Sequence, residues 1–539
     1  MPKTIKSGLT FGLVGGFLTF IFGGWSVAVI GELMGIGLGL SLSSAFERTT
    51  PMKLARRALP AAAVSAGVLL VFSLLQNFVV DPAIGQLPHS IDLVIPANLA
   101  GVLGGLALAL ITASLHGLPE KQERIGKLIL IALIVVSFPF IDSFTGLRWI
   151  AQVIFALIFV ILGMGLNIVV GYAGLLDLGY AAFFAIGAYT TGILSSPQHN
   201  IFLNFWLVIW IAAAVAAIFG FILGAPTLPL RGDYLAIVTL GFGEIIPVVF
   251  RNLIDVSINE PLSCWIIPSI QRLFGATSTV ACIALTSHLD LTAGEKGINP
   301  ITAPSLPFIG AFSSARPITW YFLIIAIILL TIFLINRLVG SRLGRAWKAI
   351  REDQLAAEQM GINPVRTKLL AFAMGATFSG FAGAFYASYI AGIFPGVFDF
   401  SASILILCCV ILGGIGNIYG VLVGGLALLT ADRLFLPALK DFLGGLLNHT
   451  VLPALAGNPT LQAAVSQNAN PILYRYLLFG LTLVIMMAVR PEGLLPNPQR
   501  RMELHEAEFE ERGPESVDQP STPASMAAAR AAKAPEKKK

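Results

Sequence analysis

Residues 163–189 read GMGLNIVVGYAGLLDLGYAAFFAIGAY, and this stretch decides what kind of fold the chain adopts. The apolar run extends back to Trp149 and forward to Ser195. That is enough for two helical passes through hydrocarbon, each needing about 20 residues. Gly171 and Gly174 stand between the two runs, and Asn167 and Asp177 fall within membrane depth. An acidic residue there costs about 3 kcal/mol on insertion scales, so it faces a cavity or a partner. Two readings of Asp177 stay open: it lines a path or gate at a broken helix, where freed backbone groups find partners, or it caps a turn after Gly174 near a membrane surface.

The rest of the chain is built the same way. Of 539 residues 56% are hydrophobic and 12% charged, with a mean hydropathy of +0.83. Soluble domains carry about 25% charged residues, so a soluble enzyme, a disordered protein and a nucleic-acid binder are all excluded. Only 47 charged residues occupy the first 499 positions. Apolar runs long enough to span lie at 59–80, 94–116, 126–141, 149–170, 174–195, 203–224, 234–250, 318–338, 369–391 and 473–489. Residues 8–45 are either one long span or a hairpin turning near Glu32, and 402–432 either a re-entrant pair or two spans around Gly413–Asn417. The expected fold is an all-α polytopic transmembrane helical bundle of about 12 spans, within a range of 10–14.

Basic residues cluster at Arg48–Arg57, Lys121–Lys127, Arg337–Lys368 and Arg500–Arg501. Placing all four clusters in the cytoplasm requires an even number of spans between them. This favours the hairpin and the double pass and puts both termini inside. The Lys3 and Lys6 region then begins an uncleaved first span rather than a signal peptide. Residues 251–317 and 433–472 face the opposite compartment. Cys264 and Cys282 in the first of these form a disulfide if that compartment is oxidising, or remain two free thiols. Residues 500–539, acidic and then Pro/Ala/Ser-rich, read as a disordered tail.

Small residues recur every four positions at Gly101/Gly105/Ala109/Ala113, Gly375/Ser379/Gly383/Ala387 and Gly416/Gly420/Gly424. Such rows let membrane helices approach closely. Glu244 sits half-way along an apolar run and needs water or a partner. The loop GSRLGRAWKAIREDQLAAEQMGINPVRTKLL, 340–370, mixes charged and apolar faces and is stopped by Gly361 and Pro364. It is either a solvated loop or a short helix that docks on a partner. No phosphate-cradling G-x-x-x-x-G-K-[ST] sequence occurs, so any ATP hydrolysis belongs to another chain. No metal pattern or cofactor is indicated.

Five motifs in order, GLNIVVGYAGLLDLGYAAFFAIGAY (165–189), LRGDYLAIVTLGFGEI (230–245), GRAWKAIREDQLAAEQMGI (344–362), LGGIGNIYG (412–420) and RPEGLLP (490–496), closely resemble the LivM-type permease of branched-chain amino-acid ABC importers. The resemblance covers about residues 126–432 and 473–496. It implies a permease core at 119–499 behind accessory N-terminal helices at 1–118, in the bacterial inner membrane. It also implies a LivH-type permease partner, two cytoplasmic ATP-binding subunits and a periplasmic substrate-binding protein, with no nucleic acid involved. By position the 340–368 loop resembles the coupling loop that inserts into the ATPase, which makes Arg345, Arg351, Glu352, Asp353, Ala357 and Gly361 the candidate contacts. Asn167, Asp177 and Glu244 are the candidates for the path or gate. Relatives of this family also carry urea, amides or other amino acids, and an ion-coupled secondary transporter is the competing class. The segments 251–317 and 433–472 depart from the family pattern by their length.

Overall fold

The computed structural model describes residues 3–23, 26–85, 91–146, 148–199, 203–227, 233–254, 290–306, 310–313, 316–454, 458, 462 and 470–495. Its helices are α1 (Lys3–Phe22), α2 (Ser26–Ala45), α3 (Pro51–Ala83), α4 (Ile91–Leu115), α5 (Glu120–Thr145), α6 (Ile150–Tyr172), α7 (Ala181–Ser195), α8 (Phe205–Thr227) and α9 (Asp233–Asn252). There follow α10 (Pro317–Val339), α11 (Arg342–Glu352), α12 (Gln354–Gln359), α13 (Pro364–Ile390), α14 (Phe400–Gly413), α15 (Ile418–Ala454) and α16 (Pro471–Val489). Among the described residues thirteen helices are long and apolar enough to cross a membrane, and α7 is a shorter apolar fourteenth. Helices are the natural solution because hydrocarbon offers backbone groups no other partner. The protein is a multi-pass membrane protein.

The helix starts are written in the sequence. Pro51, Pro317 and Pro364 open α3, α10 and α13, where a missing N–H costs nothing. Asn363, Asp399 and Asn417 cap α13, α14 and α15 by accepting from Arg366, Ala402 and Tyr419 backbone N–H groups.

Two cores form. In the N-terminal bundle α1–α4, Leu38, Leu42, Ala58, Ala61, Ala62, Ala109 and Ala113 pack together. There Gly31 and Gly35 of α2 lie directly against the backbone of Gly101 and Gly105 in α4. The larger core runs from Ile150 to Phe479 and gathers α6–α8, α10 and α13–α16. The bundles meet where Phe22 packs on Trp149 and Phe435, with ring centroids 5.4 and 6.4 Å apart. The start of α5 is tied to the N-terminal bundle where Arg48 reaches Glu120 and Glu123 at 3.2 and 3.5 Å.

Pairings between helices give their directions. α1 runs parallel to α3 (Gly8 at Ala61, Gly16 at Phe72), and α2 runs parallel to α4. α6 is antiparallel to α13 (Val169 at Gly375, Gly165 at Phe378) and to α15 (Gly163 at Val421, Val160 at Gly425). Residues 46–50, 116–119, 340–363, 414–417 and 490–495 therefore share one end of the helix layer. The first three basic clusters fall at that end. At the other end Ile298 and Ile393 exchange backbone hydrogen bonds, and Ser305–Leu306 pairs with Gly310–Ala311.

The structure differs from the sequence expectations at three places. The N-terminal hairpin turns at Gly23, with φ +72°, and not near Glu32, which lies inside α2. The expected span 174–195 is helical only from Ala181. Counting α7, the candidate spans among the described residues number fourteen, within the expected range of 10–14. Much of 433–472 is not a separate extension, because α15 continues through Ala454 with π turns at Ala431–Phe435 and Leu447–Val451. Cys264, Cys282 and the tail 500–539 lie outside the described residues.

Candidate functional site

The stretch that opened the reading is a broken helix. α6 ends in a π turn, Ile168–Tyr172, and residues 173–180 run without helix to α7. π turns inside helices occur frequently at functional sites. Gly174, with φ +71°, supplies the left-handed residue that reverses the chain.

Side chains from other helices satisfy two freed N–H groups and one carbonyl of the break, and a tyrosine of the break reaches a fourth helix. The Leu178 N–H donates to Thr239 Oγ1 of α9 at 3.1 Å, and the Ala181 N–H donates to Ser403 Oγ of α14 at 2.9 Å. The Tyr180 hydroxyl donates to the Gly375 carbonyl of α13 at 2.7 Å. The Gly171 carbonyl accepts from Arg351 Nη1 of α11 at 2.7 Å. The break is thus held by α9, α11, α13 and α14 together, which ties it to most of the core.

Asn167 and Asp177 sit at the two ends of this break. Asn167 is wholly buried, and its Oδ1 accepts from the Gly416 N–H at 2.8 Å, joining α6 to the turn between α14 and α15. Asp177 is 1% exposed. One carboxylate oxygen accepts from the Gly179 N–H at 2.9 Å, and among the described residues the other has no partner. It borders a cavity of about 10 Å³ with Thr239, Phe242 and Phe372, room for one water molecule at most. Glu244 lies at the depth of the break, because its neighbour Gly243 rests on Gly179. Its own side chain is exposed on the outer side of α9.

The 340–363 segment is a pair of short helices. Ser341 caps α11 and Asp353 caps α12, the latter accepting from the Leu355 and Ala356 N–H groups at 2.8 and 3.0 Å. The pair is anchored by Trp347, fully buried, whose Nε1 donates to the Thr367 carbonyl at 2.8 Å, and by Lys368 Nζ bonding Gln354 Oε1 at 2.8 Å. Ala357 is buried, Arg351 turns inward, and Arg345 bonds the Gly340 carbonyl. Glu352, Asp353 and Gly361 are exposed. Neither Met360, 83% exposed, nor Leu355, 65% exposed, is among the contacts expected from the sequence, although Leu355 belongs to the apolar spacing of this loop. Their sequence signal is that of large apolar residues within a charged loop outside any span. Trp347→Ala is expected to loosen this pair by about 3–5 kcal/mol, read as faster trypsin cleavage between Arg342 and Lys368 in the purified protein.

A further charged group escaped the sequence reading. Buried Asp432, in the first π turn of α15, faces Arg475 of α16 at 3.6 Å, and the Arg433 guanidinium lies 4.0 Å from the Phe155 ring centre. Its sequence sign is an Asp-Arg pair directly after the apolar run 418–430.

The family described as branched-chain amino acid transport system / permease component matches residues 149–487. The chain belongs to this family. The branched-chain permease match begins at the start of α6 and ends within α16, so α1–α5 precede it. The chain is 37% identical over 398 residues to the high-affinity branched-chain amino acid transport system permease protein LivM of Escherichia coli K12, covering 73% of this chain and 80% of that one. It is 36% identical over 405 residues to LivM of Salmonella typhimurium, covering 74% and 82%. LivH of Salmonella typhimurium, also a permease protein, is 31% identical over 173 residues, 30% of this chain and 54% of that one. No solved structure matches. As a branched-chain permease, this chain is a transport component and not an enzyme.

Proposed function

We propose that this chain is a permease subunit of an ATP-driven importer in the bacterial inner membrane. Its substrates are branched-chain or related hydrophobic amino acids, as the names of its relatives suggest. It works beside a LivH-like permease, two ATP-hydrolysing subunits and a periplasmic binding protein. The end carrying the basic clusters is cytoplasmic by the positive-inside tendency, so both termini lie inside.

The observation that carries this reading is the α11–α12 pair. Two large apolar side chains, Leu355 on α12 and Met360 at its C-terminal cap, stand exposed on an anchored base at the end that carries the basic clusters. Apolar tips outside the membrane, on a fixed base, fit insertion into a groove of another protein. The same helices grip the Gly171 carbonyl of the broken helix, so a movement of the tip reaches the break directly. ATP binding by the partner subunits shifts α11 and α12, the segment 173–180 with Asp177 opens or closes as the cytoplasmic gate, and substrate passes by alternating access. No bond in the substrate changes.

The test is reconstitution of the chain with its partner subunits in proteoliposomes. Leucine uptake is expected to require ATP and the binding protein. Leu355→Glu with Met360→Glu is expected to reduce co-purification of the ATP-hydrolysing subunits by about tenfold or more, with membrane insertion unchanged. Uptake that follows an ion gradient without ATP overturns the reading, and urea or amide uptake without leucine uptake overturns the substrate.

A further inference from the structure

One side of α9 is fully accounted for inside this chain. Thr239 bonds Leu178, Gly243 rests on Gly179, and Phe250 stacks on Tyr189 with ring centroids 4.0 Å apart. The other side carries Ile237, Gly241, Glu244, Ile245 and Val248 at helical spacing. Ile237, Glu244, Ile245 and Val248 are all exposed, and nothing lies within 4 Å of where a Gly241 Cβ would stand.

Pure lipid does not suit this side. Glu244 is the twelfth residue of a twenty-residue helix, about 16 Å from its first residue at 1.5 Å per residue. A glutamate side chain does not reach either interface from there. Among the described residues it has no hydrogen bond or ion pair. An ionisable group at that depth faces protein or a water-filled cavity, because hydrocarbon leaves it unpaired. Gly241, one turn away on the same side, leaves space for a close helix approach, the packing by which membrane helices associate.

We propose that this side of α9 is the surface on which the second permease subunit docks, with Glu244 accepting a hydrogen bond from that subunit at the depth of the helix break. This rests on the importer reading. Of the partners in that reading, only the second permease has surface inside the membrane, so only it can cover a mid-depth carboxylate.

The experiment places a photo-crosslinking benzoylphenylalanine at position 241, 245 or 248 in the complete importer, with the second permease tagged. Irradiation is expected to join this chain to the tagged subunit. Glu244→Lys is expected to lower the amount of second permease in the purified complex about thirtyfold or more, and Glu244→Gln, which keeps an acceptor, is expected to retain most of it. Adducts only with lipid, or only between two copies of this chain, in a complex that contains every subunit overturn the docking surface and leave the importer reading intact. Absence of the second permease from the wild-type complex overturns both.

Discussion

Arg351→Ala is expected to cut ATP-driven uptake by about ten- to a hundredfold while both ATP-hydrolysing subunits stay bound. Arg351 sits in α11, next to the exposed tip, yet its Nη1 points inward and donates to the Gly171 carbonyl at 2.7 Å. Its side chain also lies against Gly174, where a Cβ would come 2.9 Å from Arg351 Cγ. A hydrogen bond from a charged donor contributes about 1.5–3 kcal/mol, and each 1.4 kcal/mol is tenfold. Removing it leaves the docking side of α11–α12 unchanged and disconnects it from the break. The expected signature is therefore split: ATP hydrolysis continues, and transport per ATP collapses. Arg351→Lys keeps the charge without the planar guanidinium and should recover only part of the uptake. Loss of the ATP-hydrolysing subunits from the purified Arg351→Ala complex would instead make Arg351 a docking residue.

A loss of stability through the helix backbone itself is expected at Gly424. In α15 it faces the backbone of Gly413 at the end of α14, and a Cβ there would also come 2.8 Å from the Cys409 carbonyl oxygen. The atoms in the way are backbone, so no side-chain rotation relieves the clash. Overpacking of this kind costs about 1–3 kcal/mol and occasionally more. The loss propagates, because the α14–α15 turn also receives Asn167 through the Gly416 N–H. Gly424→Val is expected to lower the melting temperature in detergent by about 1–3 °C and to lose uptake with it. Gly480→Val in α16, where nothing lies within 4 Å, is the control and should be neutral in both measurements. Equal melting for the two variants would mean that α14 and α15 do not pack as described.

Much of this molecule was legible because a bilayer acts on each span separately. A pass through hydrocarbon must be apolar over its own length, so spans, caps and basic clusters appear as local patterns. The pair of helices in 400–430 was readable from Gly413–Asn417, and the break after α6 from Gly171 and Gly174. The start of α7 was misread, because 174–180 is as apolar as a helix. Only contacts from Thr239, Ser403 and Gly375 reveal that it is not one.

Side-chain direction was the part that local pattern does not carry. Arg351, Asp353 and Ala357 share a charged loop with Glu352 and Gly361, yet one grips the broken helix, one caps α12 and one is buried. Asn167, Asp177 and Glu244 looked alike as polar residues in apolar runs, and they end as an interior strut, a buried cavity wall and an outward-facing carboxylate.

Composition and periodicity alone determined that this chain is a multi-pass helical membrane protein and where most of its spans lie. Only the tertiary structure decided which residues brace the break and which face outward. The physical reason is separation along the chain. Arg351 and Gly171 stand 180 residues apart and Asn167 and Gly416 stand 249 apart, so the bonds that hold the break exist only after the helices have packed.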